Sequence, residues 1–209
     1  MKKIIKTLQG CGGDAPSGKG GGMDGGIGGG KGAGEGGENG ARAGAAGAAT
    51  GAGAGTDGEA GSGSGGAAFY NELAADVLAR TIWGEARGER QAGMEAVASV
   101  ILNRVAVAQN HGGKYWWGAD IISVCQKPYQ FSCWNRSDPN YRKLVAVDER
   151  DVHFATCLRI ARRAVAGVLA DTAGGATHYH TKQITPYWAR GQKPVFSIGN
   201  HLFYRLIGG

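Results

Sequence analysis

Cysteine and proline are scarce in this sequence, and long apolar runs are absent. Four cysteines and five prolines are spread over 209 residues. Four thiols are too few for a disulfide scaffold, and no Cys-x-x-Cys pair offers the spacing of a structural zinc site. Cys125 and Cys133 could pair in an oxidising compartment, and buried free thiols fit the sequence equally well. Without an apolar stretch of roughly 20 residues, no membrane-spanning helix is predicted.

Large apolar side chains are rare in residues 1–66, which hold most of the 40 glycines. Such a segment cannot bury enough apolar surface to offset the entropy of ordering it. We therefore predict a disordered Gly-rich tail over 1–66 and a single folded domain over 67–209. The first residues also lack the apolar core of a secretory signal, so we expect the protein to stay cytoplasmic until it is released.

Positive charge is concentrated in the predicted domain. Acidic and basic residues balance within 1–66, so the formal net charge of +6 belongs to 67–209. A basic domain can bind nucleic acid, an anionic membrane surface or an anionic wall polymer. The basic residues here are dispersed and lack the aromatic interleaving of single-strand binders, so we predict no nucleic-acid partner.

Apolar spacing predicts a mainly helical domain with a small sheet near its C-terminus. One helical face begins at Phe69 with Asn71 as its cap, a second begins near Gln91, and a third spans about 152–169. Alternation and aromatic content predict short strands after these helices. The predicted strands lie at 176–181, 195–198 and 201–206.

Glu85 is the first candidate for chemistry, because it lies where the first helix meets a Gly-flanked turn beside Trp83. Apolar and aromatic neighbours disfavour the charged form of a carboxyl group, which raises its pKa and keeps a proton available. Glycosidic cleavage needs such a donor, because the leaving sugar oxygen must be protonated. Spacing alone also fits a surface glutamate that pairs with Arg87 and has no catalytic role.

Five sequence blocks follow one another over most of the predicted domain. They are 81–89 (Thr-Ile-Trp-Gly-Glu-Ala-Arg-Gly-Glu), 96–105, 128–135, 175–180, and 186–189 with 198–204. In this order the blocks resemble the SleB/CwlJ family of cell-wall hydrolases, whose members are similar to lytic transglycosylases and lysozymes. The resemblance implies a lysozyme-like α+β fold. It also implies cleavage of peptidoglycan between N-acetylmuramic acid and N-acetylglucosamine.

Residue roles also follow from the resemblance. It implies that Glu85 is the catalytic acid, and the family motifs favour Gln130 and Tyr179 as cleft residues. Neither Glu89 nor Glu95 pairs convincingly with Glu85 in the sequence. We therefore predict a lytic transglycosylase, in which one glutamate acts as acid and then as base. A plain glucosaminidase or muramidase is the alternative.

Sugar sites combine aromatic faces with amide and hydroxyl groups. The side chains predicted to contact substrate are Asn103, Gln130, Phe131, Ser132, Trp134, His178, Tyr179 and Tyr187. Core packing is the alternative for the aromatic members, and a core hydrogen bond is the alternative for Asn103. Arg87 and Glu89 are predicted to organise the turn after the first helix through ion pairing.

Three histidines raise a different hypothesis. Alternate residues of a strand share one face, so His178 and His180 would point together, and His201 could supply a third zinc ligand. A zinc-dependent wall amidase is therefore a second alternative, although the resemblance implies no metal. A third is a wall-binding or virion protein without catalysis. We predict no cofactor, peptidoglycan as the partner of a monomer, and no membrane insertion. The site of action is predicted to be the cell wall, in the periplasm or outside the cell, after release that could occur through a holin.

Overall fold

The structure is a computed structural model that describes residues 62–206. This region contains five α-helices followed by a three-stranded antiparallel sheet. The predicted mainly helical α+β class with a small C-terminal sheet is confirmed. Apart from 62–66, the segment 1–66 that was predicted to be a tail lies outside the described residues. Within 62–206, the helices are either too short or too polar to span a membrane.

The element bounds lie close to the sequence-based predictions in the second half of the chain. The helices are α1 (Ser62–Ala86), α2 (Gln91–Asn110), α3 (Ile121–Gln126), α4 (Tyr141–Ala146) and α5 (Val152–Val165). The strands are β1 (His178–Thr181), β2 (Phe196–Ile198) and β3 (His201–Tyr204). Two 3₁₀ helices span Ser132–Trp134 and Tyr187–Ala189.

The first helix begins earlier than its apolar pattern predicts. Helix α1 starts at Ser62, so 62–66 are helical and Asn71 lies inside the helix. The prediction of Asn71 as a cap is therefore wrong. The first buried residue of α1 is Ala74. Once the packed part has formed a helix, each added turn gains backbone hydrogen bonds without a new nucleus, so the helix extends beyond its buried face.

Helices α1, α2 and α5 surround the hydrophobic core. Leu78 and Ile82 of α1, Val97 and Ile101 of α2, and Ile160 of α5 are each at most 2% exposed. Burial of a large aliphatic side chain contributes about 1.5–3 kcal/mol. This packing fixes α1 up to its last turn, where Glu85 lies.

Strand β3 is the centre of the sheet, with β1 on one side and β2 on the other. Tyr179 is paired with Phe203, and Thr181 is paired with His201. Cross-strand partners share a face and successive residues alternate. Tyr179 and His201 therefore lie on one face of the sheet, and His178 lies on the other.

Gly84 allows the Ser132–Trp134 helix to approach the end of α1. A Cβ atom at residue 84 would lie 2.6 Å from Cys133 Cβ, 2.9 Å from Cys133 Sγ and 3.1 Å from Leu144 Cδ1. Two of these distances are too short for any carbon contact, so a larger residue would push the two segments apart. The glycine before Glu85 is thus a packing requirement.

We expect Gly84→Ala to lower the free energy of unfolding by about 1–3 kcal/mol, because overpacking forces the Cys133 segment to move. Urea denaturation measures this change. Gly88→Ala is the matched control, since a Cβ atom there would meet nothing within 4 Å. Equal stability of the two variants would contradict the role given to Gly84.

Candidate active site

Glu85 is a buried carboxylate in the last turn of α1. Its exposed fraction is 6%. Glu85 is therefore not a surface glutamate, as the alternative of simple pairing with Arg87 required. The Tyr179 hydroxyl donates a hydrogen bond to Glu85 Oε2 at 3.2 Å. The Cys133 thiol also adjoins the carboxylate, and burial, followed by the Glu85 charge, raises the pKa of Cys133 well above its ordinary value. Glu85 is thus enclosed by a phenol and a neutral thiol.

Contacts from two other elements fix the end of α1. Trp83 Nε1 donates to Asp151 Oδ1 at 3.3 Å, and Asp151 also caps α5 by accepting from the backbone N–H groups of His153 and Phe154. The Arg87 guanidinium lies 4.3 Å from the centre of the Trp83 ring and donates to Asn140 Oδ1 at 3.2 Å. Arg87 therefore organises the turn through ring stacking and a hydrogen bond to an amide.

Tyr179 comes to Glu85 from β1, 94 residues later in the chain. Its side chain is 2% exposed, and its ring lies 5.7 Å from that of Phe203 on β3. Burial, followed by the charge on Glu85, raises the pKa of Tyr179 well above its ordinary value of 10.0. The phenol therefore keeps its proton at neutral pH and remains a hydrogen-bond donor.

Arg104 is a buried cation that sequence reasoning did not single out. Its exposed fraction is 1%, and it donates to Thr177 O at 2.7 Å and to Gln130 Oε1 at 3.0 Å. Burial lowers the pKa of Arg104 to about 10, an effect opposed by Tyr179 and by Glu85 among its neighbours. Arg104 is therefore charged at neutral pH and adds positive potential to the site.

Gln130 and Phe131 are packed around this arginine. Gln130 is 7% exposed and Phe131 is 2% exposed. The Phe131 ring lies 5.3 Å from the Arg104 guanidinium carbon, and the Trp117 ring lies 5.4 Å from it. Both predicted substrate residues thus have protein partners that fix their positions.

Ser132 and Trp134 lie beside Cys133 and are only partly buried. Trp134 Nε1 donates to Thr81 Oγ1 at 2.9 Å, so the indole is anchored to α1 one turn before Glu85. The predicted residues 130–132 and Trp134 therefore lie on the same loop as Cys133, which adjoins the carboxylate.

Asn103 makes the core hydrogen bond that was one of its two predicted roles. Its Nδ2 atom donates to Ala176 O at 3.0 Å, two residues before β1. Together with the Arg104 bond to Thr177 O, it connects α2 to the segment that leads into Tyr179. Tyr187 is 84% exposed, and the guanidinium of Arg190 is 5.5 Å from its ring.

The hypothesis of a three-histidine zinc site is wrong. His178 and His180 share one face of β1, but His201 is paired with Thr181 and so lies on the opposite face. His180 Nε2 contacts the Tyr204 hydroxyl at 2.9 Å, and His201 Nδ1 lies 3.5 Å from Glu89 Oε1. Residues 62–206 contain no cluster of three metal-binding side chains. The register between β1 and β3, which local sequence spacing does not reveal, places His201 away from His178 and His180.

His178 is 8% exposed and lies among aromatic rings. Its ring centre is 6.0 Å from that of Trp117 and 5.2 Å from that of Trp188, and its Nδ1 atom lies 3.0 Å from Thr177 Oγ1. Burial lowers the pKa of His178 from 6.5 to about 3, and the charge of Arg104 contributes to the shift. His178 is therefore neutral in the folded protein under mildly acidic conditions.

This shift predicts acid sensitivity of the fold. Below pH 6.5 the unfolded chain binds a proton at His178 that the folded protein does not bind until about pH 3. As the pH is lowered through this range, the free energy of unfolding should therefore fall by about 1.4 kcal/mol for each pH unit. Urea denaturation of wild type and His178→Gln between pH 7 and 4 measures the difference. Parallel pH profiles of the two proteins would contradict this prediction.

Cys125, Cys133 and Cys157 are buried free thiols, which resolves the alternative left open for the first two.

A cavity of about 130 Å³ lies between α2 and α5, and it is lined by Gln91, Thr156, Arg159, Ile160 and Arg163. None of the predicted site residues lines it. The candidate site is therefore the surroundings of Glu85 and not this cavity.

Comparison with known proteins gives the family. The model of the cell wall hydrolase family matches residues 88–204; Tyr179 lies inside this range and Glu85 just before it. The spore cortex-lytic enzyme of Halalkalibacterium halodurans is 30% identical over 139 residues, which are 65% of this chain. The chain spans only 36% of that relative's length.

Two solved structures are also similar. The catalytic domain of the Bacillus cereus SleB protein has 25% identity and a TM-score of 0.47, covering 65% of this chain and 90% of that one. The catalytic domain of the germination-specific lytic transglycosylase SleB from Bacillus anthracis has the same identity and TM-score, covering 64% and 93%. Because the family model matches more than half of the chain, this protein belongs to the cell wall hydrolase family.

Proposed function

We propose that this protein cleaves the glycan strands of peptidoglycan between N-acetylmuramic acid and N-acetylglucosamine, with Glu85 as its catalytic residue. The observation that carries the proposal is the buried Glu85 carboxylate with the Tyr179 hydroxyl 3.2 Å from its Oε2 atom. In a member of the cell wall hydrolase family, such a carboxyl group can supply the proton that the leaving sugar oxygen requires, and the tyrosine can orient it.

In the first step Glu85 donates a proton to the glycosidic oxygen, and the muramic acid ring develops oxocarbenium character. Tyr179 donates its hydrogen bond to the carboxyl oxygen throughout. That bond strengthens when Glu85 has lost its proton, because hydrogen bonds to a charged acceptor are the stronger ones. The nearby charge of Arg104 favours the same carboxylate. Both contacts stabilise the ionised Glu85 that forms once the proton has been donated, and this carboxylate is the base of the second step.

A single glutamate serves both steps in this mechanism. Glu89 lies against His201, and Glu95 pairs with Arg163 at 3.1 Å, so the next two acids after Glu85 in the sequence have other partners. We therefore propose that the muramic 6-hydroxyl gives its proton to Glu85 and closes on the anomeric carbon. This is the reaction of a lytic transglycosylase.

The proposed sugar contacts come from the more accessible side chains. Ser132 and Trp134 lie on the loop beside Glu85 and are partly exposed, and the exposed ring of Tyr187 offers a flat apolar face to a pyranose. Gln130 and His178 are engaged with protein groups and would shape the site from behind. We further propose that the protein acts on the wall as a monomer, reaching it by export or through a holin.

Mass spectrometry of the soluble products from purified sacculi tests this function. The expected products are muropeptides with 1,6-anhydro ends, released by wild type and by Glu95→Gln but not by Glu85→Gln. Reducing-end sugars would identify a hydrolase, in which water replaces the 6-hydroxyl. Free peptides would identify an amidase. Binding to sacculi without release of any product would show a wall-binding protein and defeat the proposal.

A further inference from the structure

Glu89 occupies a closely fitted position at the turn between α1 and α2. Its side chain is 12% exposed, and its Oε1 atom lies 3.5 Å from His201 Nδ1. The backbone N–H of Asn200 donates to its Oε2 atom at 3.4 Å. The turn that follows Glu85 is thus connected to the first residues of β3.

Two glycines make room for this carboxylate. A Cβ atom at residue 93 would lie 2.7 Å from Glu89 Cβ, and one at residue 199 would lie 1.9 Å from Glu89 Oε2. Gly199 also has a φ of +52°, which side chains other than glycine rarely adopt. The backbone of α2 and the β2–β3 turn therefore approach Glu89 at positions where only glycine leaves enough space.

His201 carries this connection to the catalytic pair. Its ring stands edge-on to the Tyr179 ring, with centroids 5.4 Å apart and an interplanar angle of 75°. On the same strand, Phe203 lies 6.2 Å from His201 and 5.7 Å from Tyr179. The Tyr179 ring thus packs against two rings of β3, and its hydroxyl reaches Glu85.

We propose that Glu89 and His201 are positioning residues, which hold the Tyr179 ring so that its hydroxyl meets Glu85 Oε2. The inference rests on the proposed function of Glu85. Glu89 fixes His201, His201 fixes the edge of Tyr179, and Tyr179 orients the carboxylate that reacts. Neither positioning residue touches the substrate.

Rate measurements on sacculi test the proposal first. Glu89→Gln and His201→Asn are each expected to lower the maximal rate about tenfold, since a slightly misplaced catalytic group loses much of its effectiveness. The sacculus concentration that gives half the maximal rate should change less than about twofold, because substrate contacts remain. Glu95→Gln, the same change on α2 beside Arg163, should leave both quantities unchanged.

A double-mutant cycle separates positioning from general destabilisation. If Glu89 acts through Tyr179, then Glu89→Gln should cause little further loss of rate in a Tyr179→Phe background. An equal tenfold loss in both backgrounds would overturn the proposal, because independent effects multiply.

A spectroscopic signature does not depend on activity. In protein labelled with ¹³Cζ-tyrosine, the Tyr179 signal is identified by its loss in Tyr179→Phe. This signal should shift in Glu89→Gln and in His201→Asn, and stay in place in Glu95→Gln. An unchanged signal in the first two variants would overturn the inference. Wild type that releases nothing from sacculi would defeat the proposed function instead, so the two failures are distinguishable.

Discussion

Replacing Glu85 by glutamine is expected to lower the rate of muropeptide release about 1000-fold or more. Glutamine has nearly the same shape and can still accept the hydrogen bond from the Tyr179 hydroxyl. It has no ionisable proton, so it can neither protonate the glycosidic oxygen nor accept a proton afterwards. Release of soluble muropeptides from sacculi, followed over time, measures the rate.

The stability of Glu85→Gln is part of this test. The variant should unfold at a temperature close to that of wild type, because a buried carboxylate is replaced by a neutral amide in the same packing. Glu95→Gln should keep the wild-type rate, since Glu95 pairs with Arg163 outside the proposed site. A folded Glu85→Gln protein that retains more than a tenth of the wild-type rate would exclude Glu85 as the catalytic acid.

Arg104→Met is expected to lower the free energy of unfolding by about 3 kcal/mol, because two buried acceptors lose their donors. Methionine fills a similar volume but cannot donate to Thr177 O or to Gln130 Oε1, which lie 2.7 and 3.0 Å from the guanidinium. Urea denaturation measures the loss through the shift of the midpoint at constant slope.

The matched control for Arg104→Met is Arg150→Met. The Arg150 side chain is 91% exposed and pairs with Asp148, an arrangement that contributes little to stability. Its replacement should leave the free energy of unfolding almost unchanged. A loss below about 1 kcal/mol for Arg104→Met would contradict the structural role of this arginine.

Local signals in the sequence were sufficient for much of the fold. Helix α2 begins at Gln91 as predicted, and all three strands fall within the predicted segments. These elements follow from apolar spacing, which each segment carries by itself. The start of α1 was missed because residues 62–66 join the helix through backbone hydrogen bonds and have no apolar face that would reveal it.

The candidate site depended on contacts that local spacing does not contain. Family motifs identified Glu85 and Tyr179 as candidates. The face on which His201 lies depends on the register between β1 and β3. The zinc hypothesis was wrong because the sequence does not reveal this register. Arg104 could have been found, since it falls at the helical spacing of Val97 and Ile101 on the buried face of α2. A charged residue on such a face is a signal for a buried polar cluster.

The central position of β3 has a consequence for the order in which activity arises during synthesis. Both strands that pair with β3 precede it in the chain, so the sheet cannot assemble until Tyr204 has left the ribosome. At ordinary elongation rates this occurs on the order of ten seconds after Glu85 has been made. Until then Tyr179 has no partner strand, and the nascent chain carries the proposed catalytic acid without the group proposed to orient it. Growing chains from which β3 has not yet emerged are therefore expected to be inactive.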